Sequence, residues 1–65
     1  MAREEIDPME QEVIIAVSRG ADTVDYVTSE FQWGKRRLAR KALDRVLRKG
    51  NVLMTVEDKL ILPPV

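Results

Sequence analysis

Eight of the chain's eleven basic residues fall in one stretch of sixteen: Lys35, Arg36, Arg37, Arg40, Lys41, Arg45, Arg48 and Lys49. One acid, Asp44, stands among them, so the segment carries +7. The chemistry open to such a cluster is anion recognition. An arginine presents a planar fork that matches guanine O6 and N7 or a phosphate, and a lysine supplies a compact point charge. The bland use of these charges is pairing along a helix, Arg40 with Asp44 and Asp44 with Arg48. Each such pair contributes only about 0.2–0.5 kcal/mol. A single acid leaves most of the positive charge free for a partner.

Other chemistries are poorly supplied. Histidine and cysteine are absent, so neither an imidazole nor a thiolate can bind a metal or act as a nucleophile. Glu4, Glu5, Asp7, Glu10 and Glu12 are dense enough to raise a carboxylate or metal reading. Without a histidine, a second carboxylate cluster or a pocket-sized fold, they read instead as residues that cap the first helix and keep that surface away from nucleic acid. The expectation is a non-enzyme with no metal, no cofactor and no small-molecule ligand. The total charge is zero, yet Met1 to Gly34 carries −6 and Lys35 to Val65 carries +6.

Sixty-five residues allow one domain, 1–65, which buries only about 60% of its unfolded surface. Apolar residues make up 45% and charged residues 34%, enough apolar material for a globular fold. The longest apolar run, Val13 to Val17, is far short of the roughly 20 residues that span a bilayer. Met1-Ala2-Arg3-Glu4-Glu5 is charged and lacks an apolar signal segment. The expected compartment is the cytoplasm, or a virion or phage-infected cytoplasm, with no membrane contact.

The basic segment must be positioned by the elements around it. Asp7-Pro8-Met9-Glu10 opens a helix of about 8–19: Asp7 caps free N–H groups, Pro8 needs no donor, and Glu10 can reach back to the cap. Met9, Val13, Ala16 and Val17 form its apolar stripe with Ile14 on the flank, and Gly20 stops it. Thr23 caps a second helix of about 24–31, marked by Val24, Val27 and Phe31. Gln32-Trp33-Gly34 breaks it, with Gly34 expected at a backbone angle other residues resist. The third helix, about 35–49, buries Ala39, Ala42, Leu43, Val46 and Leu47. It ends at Gly50-Asn51, with Arg48 and Lys49 against the negative end of its dipole. Val52 to Val56 and Leu60 to Leu62, joined by Glu57-Asp58-Lys59, predict a hairpin over about 51–63. No glycine marks its turn, and Pro63-Pro64 ends it.

Three helices and a hairpin, with a short glycine-containing turn between the second and third helices, form an α+β order. The run Ala39-Arg40-Lys41-Ala42-Leu43-Asp44-Arg45-Val46-Leu47-Arg48-Lys49-Gly50-Asn51-Val52 resembles the recognition helix and wing approach of the winged helix-turn-helix DNA-binding family. Val13, Ile14 and Val17 resemble that family's first-helix core, and Val27, Phe31 and Trp33 its apolar anchors. The likeness spans roughly residues 8 to 63 and is closest to the small archaeal, viral and bacterial regulators. It implies double-stranded DNA as partner and transcriptional regulation as function. Arg37, Arg40 and Lys41 are then the candidates for base edges in the major groove. Lys35, Arg36, Arg45 and Arg48 are candidates for phosphates, with Lys59, the wing's one base, beside Glu57 and Asp58.

The resemblance also implies that Trp33 plugs the turn rather than stacking on an unpaired base. Tyr26 reads as half-buried, and Thr28 and Ser29 as ordinary exposed residues. Ile15 lies about 120–150° from the centre of its helix stripe. It reads either as a lone exposed apolar residue or as a homodimer contact, because many helix-turn-helix proteins bind paired half-sites. The main alternative is a protein-interaction module of the same fold, an accessory subunit of a replication or transcription complex, which the neutral total charge favours. A structural chromatin protein would carry net positive charge. The scarcity of Asn and Gln among many charges suits a thermophile.

Overall fold

The chain's local start and stop signals translate into structure in the order the sequence implies. A computed structural model describes residues 7–64; Met1–Glu5, with the capping role expected of Glu4 and Glu5, lie outside the described residues. Helices α1 (Pro8–Ser18), α2 (Val24–Ser29) and α3 (Arg36–Lys49) are followed by strands β1 (Leu53–Met54) and β2 (Leu60–Ile61). The strands pair antiparallel, Leu53 opposite Ile61 and Met54 opposite Leu60.

Helix α1 begins where Asp7 accepts the Met9 N–H at 2.8 Å, with Pro8 in the first turn. Glu10 does not complete a capping box. Its side chain turns inward and is only 1% exposed. Gly20, at φ 108°, lets the chain reverse so that the Ala21 N–H donates to Ala16 O at 3.0 Å. Helix α2 starts where the Thr23 hydroxyl accepts the Tyr26 N–H at 3.1 Å. It stops at Ser29, two residues before the expected end. Thr28 and Ser29 donate their hydroxyls to the Asp25 and Tyr26 carbonyls, and the Glu30 and Phe31 N–H groups tighten onto residues three back. These side-chain bonds compete with the helical ladder.

The link to α3 is a short 3-10 turn, Trp33–Lys35, in which the Lys35 N–H donates to Gln32 O at 2.8 Å. Two expectations fail here. Gly34 does not adopt a left-handed angle, since the positive-φ glycines are Gly20 and Gly50. Trp33 does not plug the turn: it is 81% exposed. Phe31, released from α2, is the aromatic ring packed against the core.

Helix α3 buries Ala39, Ala42, Leu43 and Val46, with Leu47 packed at the margin. Gly50 takes the left-handed conformation at φ 82°, which allows the Asn51 N–H to reach Val46 O at 2.9 Å. The hairpin turn, which no glycine announced, is made by Asp58 at φ 62°. The Thr55 N–H donates to Lys59 O at 2.8 Å and the Asp58 N–H to Thr55 O at 3.0 Å. That is a three-residue loop with its left-handed position filled by a residue that tolerates it. The Leu60 N–H donates to Asp22 O at 2.7 Å, tying β2 to the α1–α2 connection.

The core is one cluster that includes Val13, Val17 and Ala21 from the first part of the chain, Val27, Leu43 and Val46 from the middle, and Val52 and Leu60 from the hairpin. It is built mostly of valine and alanine, and Leu43 is its largest fully buried side chain. Truncating so large a share of a small core is costly. Leu43→Ala is expected to lower stability by about 2–5 kcal/mol, read from urea unfolding. Leu38→Ala, at a residue 54% exposed, should stay within about 0.5 kcal/mol of the parent.

Candidate nucleic-acid interface

Burial of one side of α3 dictates what its other side presents. With Ala39, Ala42, Leu43 and Val46 facing the core, Arg37, Arg40, Lys41, Asp44 and Arg48 all stand exposed. Lys35 joins them at the helix start. That start has no side-chain cap and no acid in its first turn. The positive end of the helix dipole and three consecutive bases therefore coincide there, while the Lys35 and Arg36 N–H groups are already bonded to Gln32 O and Trp33 O.

The basic residues divide by their partners. Lys49 Nζ lies 3.0 and 3.1 Å from the two carboxylate oxygens of Glu10. Arg45 Nε lies 3.4 Å from the first of them. The chain thus commits Arg45, a phosphate candidate on sequence grounds, to holding α1 against α3, although its side chain remains 45% exposed. Arg40 Nε approaches Asp44 Oδ1 at 3.8 Å with both side chains well exposed, a contact worth at most about 1 kcal/mol. Lys59 Nζ sits 3.4 Å from Asp22 Oδ2, which draws the hairpin's one base back to the α1–α2 connection. Among the described residues, Lys35, Arg36, Arg37, Lys41 and Arg48 have no acid within ion-pair distance.

Arg36 has a different neighbour. Its guanidinium carbon stands 4.6 Å from the centre of the Trp33 ring, and its Nε is buried without a hydrogen-bond partner among the described residues. The two residues form a stacked cation–aromatic pair at the head of α3. Tyr26 is half-exposed, as expected, and the hydroxyls of Thr28 and Ser29 are engaged with the backbone of α2. Ile15 is 47% exposed. It borders an open concavity of about 450 Å³ between α1 and the α2–α3 connection, where Glu12 and Glu30 mingle with Arg19 and Lys35. No group of three acids that could hold a metal occurs among the described residues. Nor does a helix long and apolar enough to cross a membrane.

Comparison with protein-family models, with curated proteins and with solved structures gave no match for this chain.

Two features of the surface escaped the sequence reading. Glu10 stands three residues before Val13 and seven before Val17, on the buried stripe of α1. Lys49 stands three after Val46 and seven after Ala42, on the buried stripe of α3. Opposite charges continuing two apolar stripes are the legible signal of an interhelical pair. The stacking of Arg36 on Trp33 had no such signal, because it depends on the path of the 3-10 turn.

The pair makes stability depend on pH. The Lys49 hydrogen bond holds the Glu10 carboxyl below its ordinary 4.5; desolvation opposes this, and attraction to Lys49 and the bond and charge of Arg45 add to it. Because the folded-state value is lowered, the stabilisation is complete above about pH 4.5 and is lost as the pH falls through that lower value. Glu10→Gln should therefore melt below the parent at pH 7. The gap between the two melting temperatures should close on acidification, as measured by circular dichroism.

Proposed function

We propose that this chain is a winged helix-turn-helix domain that binds double-stranded DNA, with α3 in the major groove, as a transcriptional regulator. The observation that carries the reading is the sorting of charge on α3. Four of its bases, Arg36, Arg37, Lys41 and Arg48, and Lys35 just before it lack an acid partner among the described residues, and Arg40 has only an exposed one. An α-helix fits the major groove, and the side chains of its first turns reach base edges. Arg37, Arg40 and Lys41 suit that task. Lys35, Arg36 and Arg48 suit phosphates, helped at the helix start by the positive end of its dipole. Arg45 and Lys59 are secondary, since each already faces an acid.

The hairpin favours a second reading. Its tip carries Glu57 and Asp58, its base Lys59 is paired, and Leu53, Met54, Val56, Ile61 and Leu62 are exposed. Such a surface suits a protein more than a phosphate backbone. It fits the role of an accessory subunit in a replication or transcription complex, held through the hairpin while α3 meets an acidic surface. Ile15, half-exposed on α1, is the candidate contact for a homodimer under the first reading.

Selection of duplexes from a random pool separates these. Enrichment of a motif supports DNA binding, and a palindromic one adds a dimer; no enrichment favours the accessory role. On any enriched duplex, reversing Arg37 and Arg40 to glutamate should weaken binding about 100-fold or more while leaving the circular dichroism spectrum unchanged. Affinity should also fall steeply with salt. Each neutralised phosphate contributes about −0.9 to the slope of log K against log salt, so the three bases assigned to phosphates imply a slope of about −3. A shallow slope together with an inert double variant would overturn the proposal.

A further inference from the structure

Trp33 is the chain's one tryptophan and is 81% exposed. It is followed in the chain by Lys35, Arg36 and Arg37, with no acid in the first turn of α3. Arg36 already lies on the ring at 4.6 Å, so one partner of a stack is in place and the indole is held without being covered. Gly34 adds an independent observation. Its backbone angle is not left-handed, and a Cβ built on it meets nothing within 4 Å apart from its chain neighbours Trp33 and Lys35. Neither the fold's geometry nor its packing requires glycine there. What glycine provides is bare backbone beside the ring, which lets another molecule approach closely.

The geometry points to a stacking platform for an unpaired nucleobase, built from Trp33 and Arg36 over the open backbone of Gly34. Every base has a π-face, and aromatic rings with nearby cations bind unpaired bases by stacking while the charges track the phosphates. A base inside an intact duplex is stacked on both faces and closed to the ring; an extrahelical base or a base in a single strand is open to it. The ligand class is therefore DNA with an unpaired base beside the duplex that α3 contacts. An apolar protein partner is disfavoured by the Arg36 guanidinium on the indole, which would need desolvation. This inference rests on the DNA-binding reading and extends it to the form of DNA preferred.

The test uses the whole chain and three probes: a fully paired hairpin duplex, the same duplex with one extrahelical thymine, and single-stranded oligothymidylate. Indole emission reports on Trp33 alone. The expected result is quenching by the second and third probes and tighter binding of the bulged duplex than of the paired one. Trp33→Ala should lower affinity for the bulged duplex about 5- to 100-fold and leave the paired duplex within about twofold. Trp33→Phe should keep most of the binding, and Gly34→Ala should weaken the bulged complex without lowering the melting temperature. Circular dichroism of each variant verifies that it folds. Equal affinity for bulged and paired duplex, with Trp33→Ala inert on both, would overturn the platform and leave the duplex reading standing. Absence of binding to all three probes would overturn both. Quenching by oligothymidylate with no binding of the paired duplex would uphold the platform and remove the duplex reading.

Discussion

A carboxylate buried between two helices decides how this small molecule presents its charge. Glu10 is 1% exposed and is held by Lys49 and Arg45 across the α1–α3 contact. A buried charge is tolerated only when paired, and the net gain from such a pair over an apolar contact is small. Its strong consequence is geometric. With a core of mainly valine and alanine, α3 has few large side chains to fix its rotation on α1. The charged pair adds a directional contact to the apolar stripe that turns one face of α3 inward. Once Arg45 and Lys49 face α1, the bases at 37, 40, 41 and 48 have one side of the helix left to occupy. The apolar stripe and this contact together leave Arg45 and Lys49 turned to α1, Arg36 stacked on Trp33, and Lys35, Arg37, Arg40, Lys41 and Arg48 exposed.

The hairpin is positioned by equally few contacts. Two residues per strand cannot sustain a sheet alone. Here the Leu60 N–H bond to Asp22 O and the Lys59–Asp22 ion pair attach it to the α1–α2 connection, while Val52 and Leu60 enter the core. One residue, Asp22, thus ties down both the backbone and the base of the hairpin. That attachment leaves the hairpin's other face, with Leu53 opposite Ile61, apolar and open.

Where structure is local, the sequence was readable. Asp7, Thr23 and Gly50 act as caps because capping involves groups within five residues of one another, and their side chains or backbone freedom suffice. The buried stripe of α3 was readable for the same reason: its period is set by the helix itself. Glu10 was misread because one position satisfied two rules, capping box and apolar stripe, and only the partner helix decides between them. The Trp33 expectation failed for a related reason. The family resemblance marks Phe31 and Trp33 alike as apolar anchors, and the early end of α2 at Ser29 decides which ring turns inward. The outward bases at Arg37, Arg40 and Lys41 were legible throughout; the commitments of Arg45, Lys49 and Lys59 to acids distant in sequence were not.

Zero net charge does not weaken the case for an anionic partner, and the length scales say why. The described residues extend 37 × 28 × 18 Å, whereas the Debye length at physiological salt is about 8 Å. Charges at one end of the molecule are largely invisible to a partner docked at the other. A polyanion against α3 therefore meets the local field of its unpartnered bases and of Asp44, while the acids remote from α3 act only at longer range and lower salt. Neutrality has its effect before contact: it removes the long-range attraction that would coat nucleic acid indiscriminately. What remains is an oriented, short-range interaction, the regime in which the placement of Arg37, Arg40 and Lys41 on one face matters more than the number of bases in the chain.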